Sequence, residues 1–137
     1  MFNLGVERQV VVGAAIVRDG RVLAARRTTP ASAAGRWEFP GGKVEPGESD
    51  AASLVREVEE ELGVTVTVDR WLVGSAPIGT GHLLRVAVVR LEAGEPEPSE
   101  HDAVRWLAAD ELEDVDWLEP DRPFLTELSH LLPRLER

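Results

Sequence analysis

The sequence predicts an α/β fold, a mixed sheet packed between helices. Three observations predict it. Short apolar runs rich in Val stand both before and after one helical segment. That segment carries Ala51, Leu54, Val55, Val58 and Leu62 at i, i+3, i+4, i+7 and i+11, a single stripe suited to a sheet face. The chain then closes on helical rather than strand patterns. With 137 residues, no internal repeat and no low-complexity linker, residues 1–137 read as one domain.

Val10–Val17 is an apolar run that includes Gly13, too short to span a membrane and suited to a buried strand. Asp19-Gly20 marks a two-residue hairpin turn, and Arg21–Arg27 reads as the partner strand. Residues 28–36 read as a surface loop. Trp37-Glu38-Phe39 reads as a short strand stopped by Pro40-Gly41-Gly42, and Lys43–Glu48 as a loop. Ser49 or Asp50 caps a helix that runs to Leu62, where Gly63 is placed to end it. Val64–Val68 alternates Val and Thr as a strand does, with Trp71–Val73 as an extension. Pro77–His82 reads as a Gly-rich loop, Leu83–Leu91 as a buried strand and Glu92–His101 as an acidic loop. Val104–Leu107 reads as a short strand and Ala108–Leu112 as a short helix. Leu125–Leu135 reads as the closing helix, with Asp121 as its earliest start.

Composition narrows the functions. Fifteen Lys and Arg against 25 Asp and Glu leave a net charge of −10. That argues against a binder of nucleic acid polymers or anionic membranes, whose electrostatics need a basic stripe. The absence of cysteine excludes disulfide scaffolds, thiol nucleophiles and Cys-ligated zinc. Met1-Phe2-Asn3-Leu4 lacks the basic start of a signal peptide, so a soluble, cytoplasmic protein is expected. The acidity is concentrated: residues 42–64 carry a net −5 and residues 92–121 a net −11, while residues 1–41 carry +3.

On the helix, Glu57, Glu60 and Glu61 share one face beside the apolar stripe. Like charges at these spacings repel by a few tenths of a kcal/mol per pair, roughly. They also stand near the helix C-terminus, where the macrodipole disfavours anions. Two readings follow, a solvated acidic face or carboxylates gathered by a cation. With no Cys and only scattered His82, His101 and His130, such a cation would be hard, Mg²⁺ or Mn²⁺ rather than zinc.

Gly42, Glu48 and the run Arg56-Glu57-Val58-Glu59-Glu60-Glu61-Leu62-Gly63-Val64 resemble the Nudix box, residues 42–64, at all nine of its specified positions. A chance match is on the order of one in a billion per window. The flanking run Gly35-Arg36-Trp37-Glu38-Phe39-Pro40-Gly41-Gly42-Lys43-Val44-Glu45 is similar to the MutT branch and to the related cytidine triphosphate pyrophosphohydrolases. Glu100-His101-Asp102-Ala103 followed by Trp106 is similar to the second group and to some relatives of the first. The resemblance implies the Nudix fold, an α/β/α sandwich with a central mixed β-sheet. It implies Mg²⁺-dependent hydrolysis, with Mn²⁺ as a substitute, of (deoxy)nucleoside triphosphates to monophosphate and pyrophosphate. Oxidised or modified nucleotides such as 8-oxo-dGTP, removed from the nucleotide pool, are the expected substrates. CTP, dCTP or 5-methyl-dCTP are the alternative, and a non-catalytic nucleotide-binding module is the alternative from another class. The implied partner is a small-molecule nucleotide, with no nucleic acid polymer and no membrane, and the implied state is a monomer.

Residue roles follow from the same resemblance. Glu57, Glu60 and Glu61 would bind metal, with the Gly41 carbonyl as a further ligand, Glu100 as a further ligand or the general base, and Asp102 as the neighbour that could replace Glu100. Glu57 would also position or deprotonate water, and Arg56 would orient carboxylates such as Glu48. Arg27 would contact phosphate or base, and Phe39 would line the nucleoside pocket. Asp121, where the MutT namesake has Asn, would hydrogen-bond the base; its other reading is a cap on the last helix. Trp117 is the pocket candidate among four Trp that are otherwise core, and His101 reads as a loop contact. Other Nudix branches fit less well. The chain has no Tyr for the diadenosine polyphosphate marker, and Thr80 stands where the ADP-ribose group carries Pro.

Overall fold

The computed structural model describes residues 8–135, so the leader reading of Met1-Phe2-Asn3-Leu4 lies outside the described residues. Strands β1 (Gln9–Arg18) and β2 (Arg21–Arg27) meet at Asp19 and Gly20, whose φ angles of 54° and 75° are those of a type I′ turn. The remaining strands are β3 (Trp37–Glu38), β4 (Gly41–Lys43), β5 (Thr65–Trp71), β6 (Ala76–Ile78), β7 (His82–Ala93) and β8 (His101–Leu107). They form a mixed sheet with a path β3-β2-β1-β7-β5. Strand β8 is added beside β2, β4 beside β1 and β6 beside β7. β1 and β7 run parallel from Gln9↔His82 to Val17↔Arg90, and the other pairings between these strands are antiparallel.

β1 is covered on both faces, which is why it reads as a continuous apolar run. Val12, Ala14 and Ile16 join the core beneath helix α1 (Asp50–Leu62), with Leu54, Val58 and Leu62. Ala15, with Val11 and Val17, joins the opposite core, beneath helix α2 (Leu125–Leu131), with Trp117, Leu128 and Leu132. β7 divides likewise, Ala87 and Val89 to one side and Leu84, Val86 and Val88 to the other. The result is the expected α/β/α sandwich. Among the described residues, no helix is long and apolar enough to cross a membrane.

Several expected boundaries move. Gly41–Lys43 is a strand because it docks on Val11–Gly13, and Ala76–Ile78 is a strand because it docks on β7. In both, the partner decides rather than the segment's own propensity. The acidic loop shrinks as β7 continues to Ala93 and β8 begins at His101. Residues Ala109–Asp114 form a 3₁₀ turn where a short helix was expected. The closing helix is broken into 3₁₀ turns Glu119–Phe124 and Leu132–Arg134 around α2, because Pro123 and Pro133 offer no N–H to continue it.

The edge of β1 is shared. β2 pairs with its end at Val17 and Arg18, β4 with Val11–Gly13, and the Pro40 carbonyl accepts from Ala14 N–H at 2.7 Å between them. β2 beyond Val22 is free to swing away and pair with β3 and β8. The opening between β2–β3 and β4 faces the acidic side of α1.

Candidate active site

Ser49 Oγ accepts from Ala52 N–H at 3.0 Å, and Gly63, at φ 72°, closes the helix with its N–H on the Glu59 carbonyl. These ends fix the phase of α1. With Leu54, Val58 and Leu62 fully buried, Glu57 falls against β4 and Glu61 falls into the interior, only 6% exposed. Two adjacent glycines make the approach feasible. A Cβ on Gly41 would run into the Val12 carbonyl, and one on Gly42 would overlap the Glu57 carboxylate.

Arg56 collects the acids on the outer side of this group. Its Nε and Nη2 donate to Glu48 at 2.7 and 3.0 Å, and its Nη1 stands 3.3 Å from both Glu57 and Glu60. The guanidinium holds the Glu48 carboxyl at about 2, well below the usual carboxylate range. Glu60 turns outward and is 55% exposed.

Glu100 reaches the same place by a different route. Ser99 N–H and Oγ–H both donate to the Glu61 carbonyl, at 3.0 and 3.2 Å, and Glu97 N–H donates to the Leu62 carbonyl at 2.9 Å. The acidic loop thus caps the end of α1 and delivers Glu100 beside Glu61. A cavity of about 390 Å³ lies there, lined by Arg27, Glu38, Gly41, Glu61, Glu100 and His101 among others. Burial first, then the charges of Glu100, Glu38 and Glu57, push the Glu61 carboxyl up to about 9. Burial also pushes Glu57 up. Glu61 Oε1 is buried with no hydrogen-bond partner among the described residues. An all-oxygen group with an unsatisfied buried carboxylate fits a hard divalent cation, which would supply the missing charge. No three His, Asp or Glu side chains among the described residues are drawn together closely enough to hold an ion as they stand. Arg56 pairs with Glu57 and Glu60 on the outer side, and Arg27 is the basic residue that lines the cavity with Glu61 and Glu100.

A second cavity, about 290 Å³, adjoins the first and shares Arg27, Glu38 and Gly41 with it. Its walls are largely apolar, with Phe39, Ile78, Leu84, Leu118 and Pro120, and Asp121 stands among them. Asp121 is 5% exposed and its Oδ2 accepts from Phe39 N–H at 2.8 Å. Burial is the main cause that pushes its carboxyl up to about 8. It does not cap α2, whose N-terminus has no side-chain cap. The segment that carries it is docked along β3. Trp37 N–H donates to the Asp116 carbonyl at 2.9 Å, Leu118 N–H to the Trp37 carbonyl at 2.8 Å, and Arg36 Nη2 to the Trp117 carbonyl at 2.6 Å.

Three expected placements need correction. Trp117 is not on the pocket wall: it is fully buried, its Nε1–H on the Leu112 carbonyl, and its ring backs Phe39 at 4.7 Å. Asp102 does not reach the acidic cavity, because it pairs with Arg26 on the outside at 2.7 Å. His101 is no loop contact but a buried strand residue bonded to Glu38 at 2.9 Å. Glu38 joins the site unannounced by the box, although alternation in Trp37-Glu38-Phe39 places its side chain opposite the two aromatics.

The NUDIX domain family model matches residues 7–128. The chain belongs to the Nudix family. This Nudix protein is 46% identical over 128 residues to the "Putative 8-oxo-dGTP diphosphatase 2" of Mycobacterium tuberculosis, a match covering 90% of each chain. It is 39% identical over 103 residues to the "CTP pyrophosphohydrolase" of Escherichia coli, covering 74% of this chain and 76% of that one. The solution structure of the E. coli ORF135 protein superposes with a TM-score of 0.82 at 34% identity, covering 98% of both chains. The crystal structure of a MutT Nudix hydrolase from Burkholderia pseudomallei gives 0.73 at 35% identity, covering 88% of this chain and 97% of that one. The protein is therefore a Nudix hydrolase of the MutT type, with the fold its box implies.

Proposed function

We propose that this hydrolase converts (deoxy)nucleoside triphosphates to monophosphate and pyrophosphate with Mg²⁺, and that oxidised or modified nucleotides such as 8-oxo-dGTP are its substrates. The observation that carries this reading is the junction of two cavities. A buried, uncompensated Glu61 beside Glu57 and Glu100 lies in one, an apolar slot ending at Asp121 forms the other, and Arg27 stands in the wall they share. The base would enter the slot between Phe39, Leu118 and Asp121, and the phosphates would extend past Arg27 to the carboxylates.

Glu57, Glu61, Glu100 and the Gly41 carbonyl would hold the divalent ion, with Glu60 at the rim. When bound, the ion supplies the positive charge that lets an anionic polyphosphate approach an acidic site, and it acidifies water. Glu57 accepts the proton of the attacking water, and Arg56 keeps Glu57 oriented. Arg27 steadies the charge on the phosphates. The water oxygen joins the β-phosphorus, the bond from that phosphorus to the α–β bridging oxygen breaks, and the nucleoside monophosphate leaves. Hydrolysis in ¹⁸O water should therefore put label in pyrophosphate, and label only in the monophosphate would overturn this course.

A second reading, cytidine nucleotides, is favoured by Asp121. One carboxyl oxygen accepts from Phe39 N–H, and the other, which carries the hydrogen of the protonated carboxyl, can donate to ring N3 of cytosine, an acceptor where guanine has N1–H. A panel of 8-oxo-dGTP, dGTP, CTP, dCTP and 5-methyl-dCTP with Mg²⁺ and pyrophosphate detection separates the two. A kcat/KM at least tenfold higher for 8-oxo-dGTP than for dGTP and the cytidine nucleotides supports the first reading. The same preference for a cytidine nucleotide supports the second, and equal values across the panel refute both.

A further inference from the structure

We infer that His101 is a positioning residue for Arg27, acting through Glu38; the inference rests on the reading of Arg27 as the contact for the nucleotide's phosphates. The chain of bonds is short, and it runs from a buried His101 to a half-exposed Arg27. His101, its side chain 3% exposed, has Nε2 at 2.9 Å from Glu38 Oε2. A carboxylate only accepts, so Nε2 carries the hydrogen. Both oxygens of Glu38 accept from Arg27 Nη1, at 3.0 and 3.2 Å, and Arg27 Nε donates to the Thr29 carbonyl at 2.8 Å. The guanidinium is thereby held on two sides, leaving Nη2 outside those contacts. One of the two groups that fix it, Glu38, is itself fixed by His101.

Two further observations make His101 more than packing. Its Nδ1 is buried without a partner among the described residues. An apolar side chain would avoid that desolvation cost, so the bond from Nε2 is what the position provides. The sheet is also distorted to aim it. β2 and β8 pair in register up to Arg26↔Ala103, then skip Asp102 so that Arg27 faces His101. The bulge sends Asp102 outward to Arg26 and His101 inward to Glu38. Without this anchor, Glu38 would be a loose carboxylate in the wall shared by both cavities, where it would repel phosphate and release Arg27.

The test is a double-mutant cycle read by binding as well as turnover. The probe is an α,β-imido analogue of dGTP with Mg²⁺, measured by calorimetry. His101→Leu and Arg27→Ala should each weaken binding about tenfold. The double variant should bind no more weakly than Arg27→Ala alone, because nothing remains for His101 to position. His101→Gln, whose amide N–H can reach Glu38, should keep affinity within threefold of the parent, and it carries the test if the Leu variant does not fold. In turnover of the best nucleotide of the panel, KM should rise in His101→Leu with kcat within twofold. Wild-type affinity in His101→Leu overturns the inference, as do losses that multiply in the double variant or a loss confined to kcat. If no triphosphate is hydrolysed yet the analogue shows this coupling, the positioning role stands and the proposed reaction falls. If triphosphates are hydrolysed and the coupling is absent, the positioning role falls and the reaction stands. A parent protein that does not bind the analogue refutes the positioning role.

Discussion

Replacing Asp121 by Asn should change how stability depends on pH. Asp121 is 5% exposed and its carboxyl is raised from 3.8 to about 8, chiefly by burial. Between about pH 4 and pH 8 the unfolded chain carries this group ionised while the folded protein keeps it protonated. The native state then binds more protons, so stability falls as pH rises through that window, by up to about 1.4 kcal/mol per pH unit. The full effect is on the order of 4–6 kcal/mol by pH 8 as an upper bound, and it vanishes below about pH 4. Asn has a carbonyl oxygen of the same reach, able to accept from Phe39 N–H as Oδ2 does at 2.8 Å, and it does not titrate. Urea unfolding of both proteins at pH 4, 5, 6, 7 and 8 isolates the term, since every other group is common to both. The two should be closest at pH 4, with Asp121→Asn gaining steadily to pH 8. A constant difference across the series would refute the reasoning, because it would mean that Asp121 titrates alike in both states. A gap widening in favour of the parent would refute it more strongly.

Other substitutions probe the remaining parts. Gly42→Ala places a methyl group in the space of the Glu57 carboxylate and should lower kcat/KM by about 100-fold while circular dichroism stays native; near-parental activity would mean that Glu57 need not stay where it is. Gly41→Ala meets backbone rather than a side chain and should cost about 1–3 kcal/mol of stability by denaturant titration. Glu61→Gln removes a carboxyl raised to about 9. It should stabilise the metal-free protein increasingly from about pH 5 to pH 9 in thermal melts, while Mg²⁺ binding by calorimetry is lost. Glu48→Gln removes a carboxyl lowered to about 2 by Arg56 and should lower Tm at pH 7. That stabilisation is present above about pH 4.5, so the gap should close as the pH falls towards 2.

The acidic composition admits both a solvated surface and an enzyme that meets an anionic substrate through a cation. Dividing the charge along the chain separates these only partly. The block at 42–64 holds the box helix, and the block at 92–121 holds Glu100 and Asp121. In the fold, many of the remaining acids prove to be partners of surface arginines: Glu95 with Arg18, Asp102 with Arg26, and Asp116 with Arg122. Exposed pairs of this kind contribute about 0–1 kcal/mol each, so they give these acids partners without adding much to stability.

The sequence by itself determined the elements whose information is local. The α1 stripe, its Ser49 and Gly63 ends, the Asp19-Gly20 turn and the box spacing are written within a few residues of where they act. The alternation of Val12, Ala14 and Ile16 with Val11, Ala15 and Val17 likewise lies inside one strand. What only the tertiary structure decided are meetings between distant segments. Strand β4 exists because β1 lies beside it. Glu100 joins Glu61 because Ser99 caps a helix that ends 36 positions earlier, at the Gly63 turn. Asp121 sits in the slot because residues 116–118 zip along β3. Trp117 and His101 exchanged their expected surroundings for the same reason. A side chain's burial depends on which neighbours the fold brings to it, and a one-residue bulge is enough to turn His101 inward and Asp102 out.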